Sequence, residues 1–196
     1  MNTKALDFKV GSSNPSGITD KIYYAAKTDI AAWPEIIDEL DEATEDEETD
    51  KDDYVDYDGS FTMVEGKKFL SIYNTQGKGK VTSSTIGEVD CKMNQNTLEF
   101  KFPRLTRAAR VFQKAVANGD FVFIYQHDQQ YFVVGNQYYR SNITVDGNTG
   151  DSAGSDKGLT IKVEVPDTTA FPKYTGTLET DKGTLDCATG IITPVS

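Results

Sequence analysis

A mainly β fold with one helix is the architecture this 196-residue chain predicts; three stretches carry the β prediction and a fourth the helix. Thr97-Leu98-Glu99-Phe100-Lys101-Phe102 places apolar residues at alternate positions and stops at Pro103. Leu159, Ile161, Val163 and Val165 alternate with Thr160, Lys162 and Glu164, the pattern of a half-buried strand. Between them, residues 104–118 switch to helical spacing. Leu105, Ala108, Ala109, Phe112, Ala115 and Val116 share one face, which leaves Arg104, Arg107, Arg110 and Lys114 mainly for solvent. Gly119 is expected to end that helix in a left-handed conformation. The third stretch is the dense apolar run 121–125, which His127-Asp128-Gln129-Gln130 turns into residues 131–134 as a hairpin.

The remaining elements follow in order. Residues 1–17 are polar and end in Gly-Ser-Ser-Asn-Pro-Ser-Gly; they read as a flexible arm that gains order only from a neighbour. Residues 18–26 predict a first strand, and Trp33-Pro34 closes a short connection. Residues 35–58 open with a possible helical turn, 35–40, and then lose apolar content until Tyr54. Strands are expected at 61–64, 68–73, 80–85 and 88–93, with turns at 75–79 and 94–96. Residues 141–145 predict another strand, and the Gly-, Asp- and Ser-rich residues 146–158 an exposed loop. Residues 175–196 predict a terminal hairpin with turns near 181–183 and 188–190.

Composition narrows the function classes. A hydrophobic content of 37% with mean hydropathy −0.49 is polar for a globular chain, and ten Tyr and ten Phe partly compensate. No apolar run approaches the length that spans a bilayer, and no apolar stretch follows Lys4 as in a signal peptide, so synthesis and residence in a cytoplasm are expected. Cys91 and Cys187 lack zinc or redox spacing and read as free thiols. The formal net charge is −11, which argues against tight wrapping of nucleic acid. That charge is concentrated: residues 35–58 hold 14 acids against Lys51, a net −13, so the rest of the chain carries +2. Such like-charge density opposes compaction, and the middle of this acidic loop is expected to be mobile.

No catalytic or cofactor-binding set can be assembled. His127 is the only histidine, sits in a predicted turn, and has no legible nucleophile or metal partner. The acidic run lacks the apolar neighbours that tune catalytic carboxylates. Asp56, Asp58 and Glu65 fall at positions three, five and twelve of an EF-hand-like loop, with Gly59 at position six. Tyr54 occupies the first ligand position, where a carboxylate is required, and residues 61–64 read as strand where a helix belongs. We therefore assign no metal site, only weak cation binding by the acidic loop. The Gly-rich stretches 77–80 and 147–158 lack the strand–helix context of a phosphate-binding loop. The basic helix face is expected to meet carboxylates of a neighbouring subunit or simply water.

The order of these elements carries a resemblance. The succession "NTLEFKFP", a short helix, "NGDFVFIY", "YFVVGN", "SNITVDGNTGDSAGSDKGLTIKVEV" and "AFPKYTG" resembles the tail tube proteins of long-tailed bacteriophages and prophages. "ITDKIYYAAKTDIAAWP" and "GKKFLSIYNTQGKGKVTSSTIGE" are similar to the opening of such proteins in phages of Bacteroidetes. The resemblance implies a β-sandwich or barrel-like tail tube fold with one flanking helix, spanning residues 18–176. The acidic loop 35–58 is an insertion in it, and residues 177–196 follow as a C-terminal hairpin or arm. It further implies a virion structural protein without enzymatic activity or cofactor, made in the host cytoplasm and placed in the virion tail. Its partners would be further copies of itself in stacked hexameric rings and other tail proteins. DNA would pass through the lumen as non-specific cargo, and no membrane is involved. Two other readings remain open: a tube protein of a contractile injection or type VI-like secretion system, and a monomeric binding module with a cation-responsive acidic loop.

Overall fold

A computed structural model describes residues 15–36, 55–152 and 154–194. Most of the expected arm, the acidic segment 37–54 and Tyr54 lie outside the described residues. The described chain is mainly β, with several sheets and one α-helix.

The largest sheet has seven strands in the order β3 (Glu35–Ile36), β4 (Asp56–Asp58), β13 (Lys173–Tyr174), β10 (Gln130–Val134), β9 (Phe121–His127), β1 (Lys21–Ala26) and β6 (Leu70–Tyr73). All its neighbours are antiparallel except β4 and β13. A four-stranded antiparallel sheet runs β11 (Asn142–Asn148), β12 (Gly158–Asp167), β8 (Met93–Phe102), β7 (Lys80–Ile86). The strands β14 (Thr177–Thr180), β15 (Gly183–Asp186) and β16 (Ile192–Thr193) form a meander, and β2 (Ile30–Ala32) pairs with β5 (Thr62–Met63). Among the described residues no sheet closes on itself into a barrel.

Both faces of the seven-stranded sheet are buried, which accounts for the dense apolar run. A strand alternates its side chains between faces, so a two-sided core needs apolar residues at successive positions. Phe123 and Tyr125 join Ile22 and Val134 in one core with Leu98, Phe100, Leu159, Ile161, Val163 and Val165 of the four-stranded sheet. Val122, Ile124, Tyr23 and Val133 enter a second core with Phe69, Tyr174, Leu178 and Leu185, which reaches the C-terminal meander. The half-buried strands keep their clean alternation because only one face of the four-stranded sheet meets a core. Each fully buried Phe, Leu or Ile contributes on the order of 1.5–3 kcal/mol relative to exposure.

The helix α1 (Arg107–Val116) starts later than the expected residue 104. Thr106 takes the cap: its Oγ1 accepts from the Ala109 N–H at 3.2 Å, leaving Arg104 and Leu105 outside the helix. The inward stripe is the buried Ala109 and Val116 with the half-buried Phe112 and Gln113, whereas Leu105, Ala108 and Ala115 are exposed. Tyr24 meets Phe112 edge-on at 5.2 Å, so the helix closes the end of the core between the two large sheets. Gly119 is not left-handed. Its glycine is required by space instead, because a Cβ there would lie 2.1 Å from the Phe121 ring.

Three further expectations are corrected. Residues 88–92 form a turn, not a strand, and residues 94–96 are strand, not turn. The β7–β8 hairpin pairs Ile86 with Met93 across that turn. The polar residues stay in β8 because their amides find backbone partners: Asn94 and Asn96 Nδ2 donate to the Thr168 and Thr169 carbonyls, each at 2.8 Å. Glu35 and Ile36 are strand, not helical turn, pairing with Asp58 and Tyr57. The acidic segment thus departs from and returns to adjacent antiparallel strands.

Candidate assembly surface

The four-stranded sheet sorts its side chains into rows fixed by register. Val81, Leu98, Val163 and Ile143 align across all four strands on the core side. The next row, Lys80, Glu99, Lys162 and Thr144, faces the other way, as do Thr82, Thr97, Glu164 and Asn142. This outer face is polar and its charges are largely matched. Lys80 pairs with Glu99 at 3.1 Å, Lys162 with Glu164 at 2.8 Å, and Lys101 with Asp156. The Glu164 carboxylate beside Lys162 raises the lysine's pKa.

Two edges of this sheet have no neighbouring strand among the described residues: β7 on one side and β11 on the other. Each is seven residues long, and both show the same alternation of half-buried and exposed positions. Such edges present rows of backbone donors and acceptors to any strand that reaches them. The helix lies near the β11 side, where Gln113 Nε2 donates to the Val145 carbonyl at 3.1 Å. Its outward residues Arg104, Arg107, Arg110 and Lys114 are exposed, and none forms an ion pair among the described residues.

A polar junction fixes how β9, β11 and the end of β1 meet. One carboxylate oxygen of Asp120 accepts from the Ser141 N–H at 2.9 Å, the Ser141 hydroxyl at 3.0 Å and Lys27 Nζ at 2.9 Å. Burial alone would raise the Asp120 pKa; the Ser141 and Lys27 hydrogen bonds outweigh it and leave the group below its usual value.

The residues singled out from sequence do not converge. Asp56 and Asp58 lie on β4, with Asp56 3.8 Å from Lys173, and Glu65 lies in the turn after β5, a strand of a different sheet. The contiguous loop an EF-hand requires is replaced by strands at these positions. His127 ends β9, its Nδ1 2.6 Å from the Gly17 carbonyl. It lines an apolar cleft of about 430 Å³ with Tyr125 and Phe132, where among the described residues no carboxylate, hydroxyl nucleophile or thiol joins it except the Tyr125 phenol. Cys187 is buried and its thiol is pushed up by desolvation, while Cys91 is exposed on the β7–β8 turn. Among the described residues no three His, Cys, Asp or Glu gather around a metal-sized space, and no helix is long and apolar enough to cross a membrane.

Sequence reasoning missed a second cleft, at the base of β3 and β4, where Trp33, Tyr57, Tyr138 and Tyr139 meet Glu35 and Asp167. Its walls come from four separated segments, so no local spacing announces it; the exposed pair Tyr138-Tyr139 was the one available signal. The chain matches no family model, no curated protein and no solved structure.

Proposed function

We propose that this chain is a structural, self-assembling subunit of a phage or prophage tail tube, a β-sandwich whose copies form stacked rings around a DNA-conducting channel. The observation that carries the reading is the four-stranded sheet, with seven-residue edges on opposite sides that no described strand pairs and a polar outer face. Pairing β7 of one copy with β11 of the next joins two different surfaces, and such a head-to-tail contact closes into a ring when the rotation allows. The tail-tube-like order of elements suggests six copies. The outer face of the joined sheets then lines the channel. Its lysines are held by carboxylates, which leaves little free positive charge to retain a nucleic acid in transit. The second face of that sheet is already covered by the seven-stranded sheet, so assembly needs no apolar surface to be uncovered.

Negative-stain microscopy with light scattering, across protein and salt concentrations, tests the reading. Rings or tubes are expected, favoured by salt that screens repulsion between acidic segments. Strict monomers throughout, even with tail-initiating proteins from the same genome added, refute it.

A further inference from the structure

We propose that the cleft at the base of β3 and β4 is a binding site for an organic cation, an ammonium or guanidinium group on an apolar stem. The cleft holds about 380 Å³, inside the ~300–1,000 Å³ range of small-ligand sites. Four aromatic residues, Trp33, Tyr57, Tyr138 and Tyr139, and two carboxylates, Glu35 and Asp167, line it, and among the described residues no lysine or arginine does. Aromatic rings attract a cation through their negative faces and bury an apolar stem, and the carboxylates supply the opposite charge.

The walls are held in place. Trp33 packs edge-on against Phe61 at 5.2 Å, and Phe61 in turn contacts Tyr57 and Tyr174. Asn136 fixes the loop that carries the two tyrosines: its Oδ1 accepts from the Tyr138 and Tyr139 N–H groups at 3.1 and 2.8 Å, and its Nδ2 donates to the Pro166 carbonyl at 2.8 Å. Tyr138 is thereby presented 80% exposed at the rim. Burial raises the Tyr57 pKa most, with Asp167 and then Tyr138 adding to it, which places these three groups within electrostatic reach of each other. Basic side chains nearby are engaged elsewhere: Lys27 with Asp120 and the Tyr139 carbonyl, Arg140 with the Asn118 carbonyl, Lys173 with Asp56. Glu35 and Asp167 put negative charge at the cleft itself, and a neutral sugar, the other common guest of aromatic clefts, gains nothing from it.

The site stands whether or not the chain assembles into tubes. Trp33 is the only tryptophan and lines the cleft, so its emission reports occupancy directly. The full chain is titrated with butylguanidinium and with its neutral isostere butylurea. Butylguanidinium should give a saturable change and butylurea should bind at least tenfold more weakly. Glu35→Gln and Tyr138→Ala, both at positions outside the core, should each weaken butylguanidinium at least threefold. No saturable change, equal response to butylurea, a response to methyl glucoside instead, or unchanged affinity in both variants overturns the site. A peptide of residues 103–119, carrying Arg104, Arg107, Arg110 and Lys114, separates two sources of the cation. Binding tenfold tighter than butylguanidinium assigns it to a second copy of this chain, and weaker binding to a small free cation; both support the site.

Discussion

Replacing residues 38–55 with a four-residue Gly/Ser linker should raise stability, not lower it. Ile36 and Tyr57 pair directly as β3 and β4 come together. Twenty residues, 37–56, close that connection, and the replacement leaves six. Closure entropy scales as (3/2)RT times the logarithm of length, so the shorter connection is favoured by about 1 kcal/mol. Eleven acids and one base leave with it, which takes the formal net charge from −11 to −1 and removes self-repulsion in the same direction. For a chain of this size, about 1 kcal/mol moves the thermal midpoint by roughly 2–4 °C. Calorimetry at low salt should therefore show a rise of at least that amount, and the rise should shrink in high salt as screening removes the charge contribution. A fall in midpoint, or insoluble protein, would instead show that the acidic segment supplies core contacts.

Other expectations are sharper for being paired. Tyr174→Phe should lose about 1–3 kcal/mol, because its buried hydroxyl accepts from the Phe61 N–H at 3.1 Å and donates to the Thr177 carbonyl at 2.7 Å. Tyr125→Phe, whose hydroxyl has no hydrogen bond among the described residues, should stay within about 0.5 kcal/mol by urea denaturation. Because the Asp120 carboxyl is held below its usual pKa, its contribution is present above the ordinary carboxylate range and lost as pH falls through the depressed folded value. Asp120→Asn should accordingly flatten the acid limb of the stability profile, and an unchanged limb would remove Asp120 as its cause. A thiol reagent should label Cys91 rapidly in the folded chain and Cys187 only after denaturation; two fast thiols would mean the C-terminal strands open readily.

The parts of the fold legible in sequence are those where one local rule decides. β12 alternates because only one of its faces meets the core, and the tight turn at Asp128-Gln129 follows from polar residues that tolerate positive φ, 46° and 63°. Two of the misreadings share a cause: a distant partner overrode a local preference. Asn94 and Asn96 look like turn residues until Thr168 and Thr169 supply their acceptors, and Glu35 and Ile36 look helical until β4 pairs with them. The sheet edges and the aromatic cleft were illegible for the same reason. An open edge is defined by which strands fail to pair, and the cleft joins Trp33 to Tyr57, Tyr138 and Asp167 only through tertiary structure. The EF-hand-like spacing of Asp56, Asp58 and Glu65 is a local pattern that the fold divides: Asp56 and Asp58 share β4, Glu65 lies after β5, and His127 ends β9.

The two-sided burial of β9 has a consequence for synthesis. Its residues Val122, Phe123 and Ile124 are wholly covered, but the layers that cover them arrive at different times. β1, β6, β7 and β8 have left the ribosome before β9 emerges; β12 and the Leu178 and Leu185 side chains come afterwards. Sixty residues, 126–185, separate the end of the apolar run from the last of these, which is roughly 3–12 s of translation at ~5–20 residues per second. For that interval a strand-forming segment without a single charge is incompletely covered, the kind of surface that templates aggregation. A nascent chain of this design depends on holding factors, or on rapid completion, to reach its native sheet.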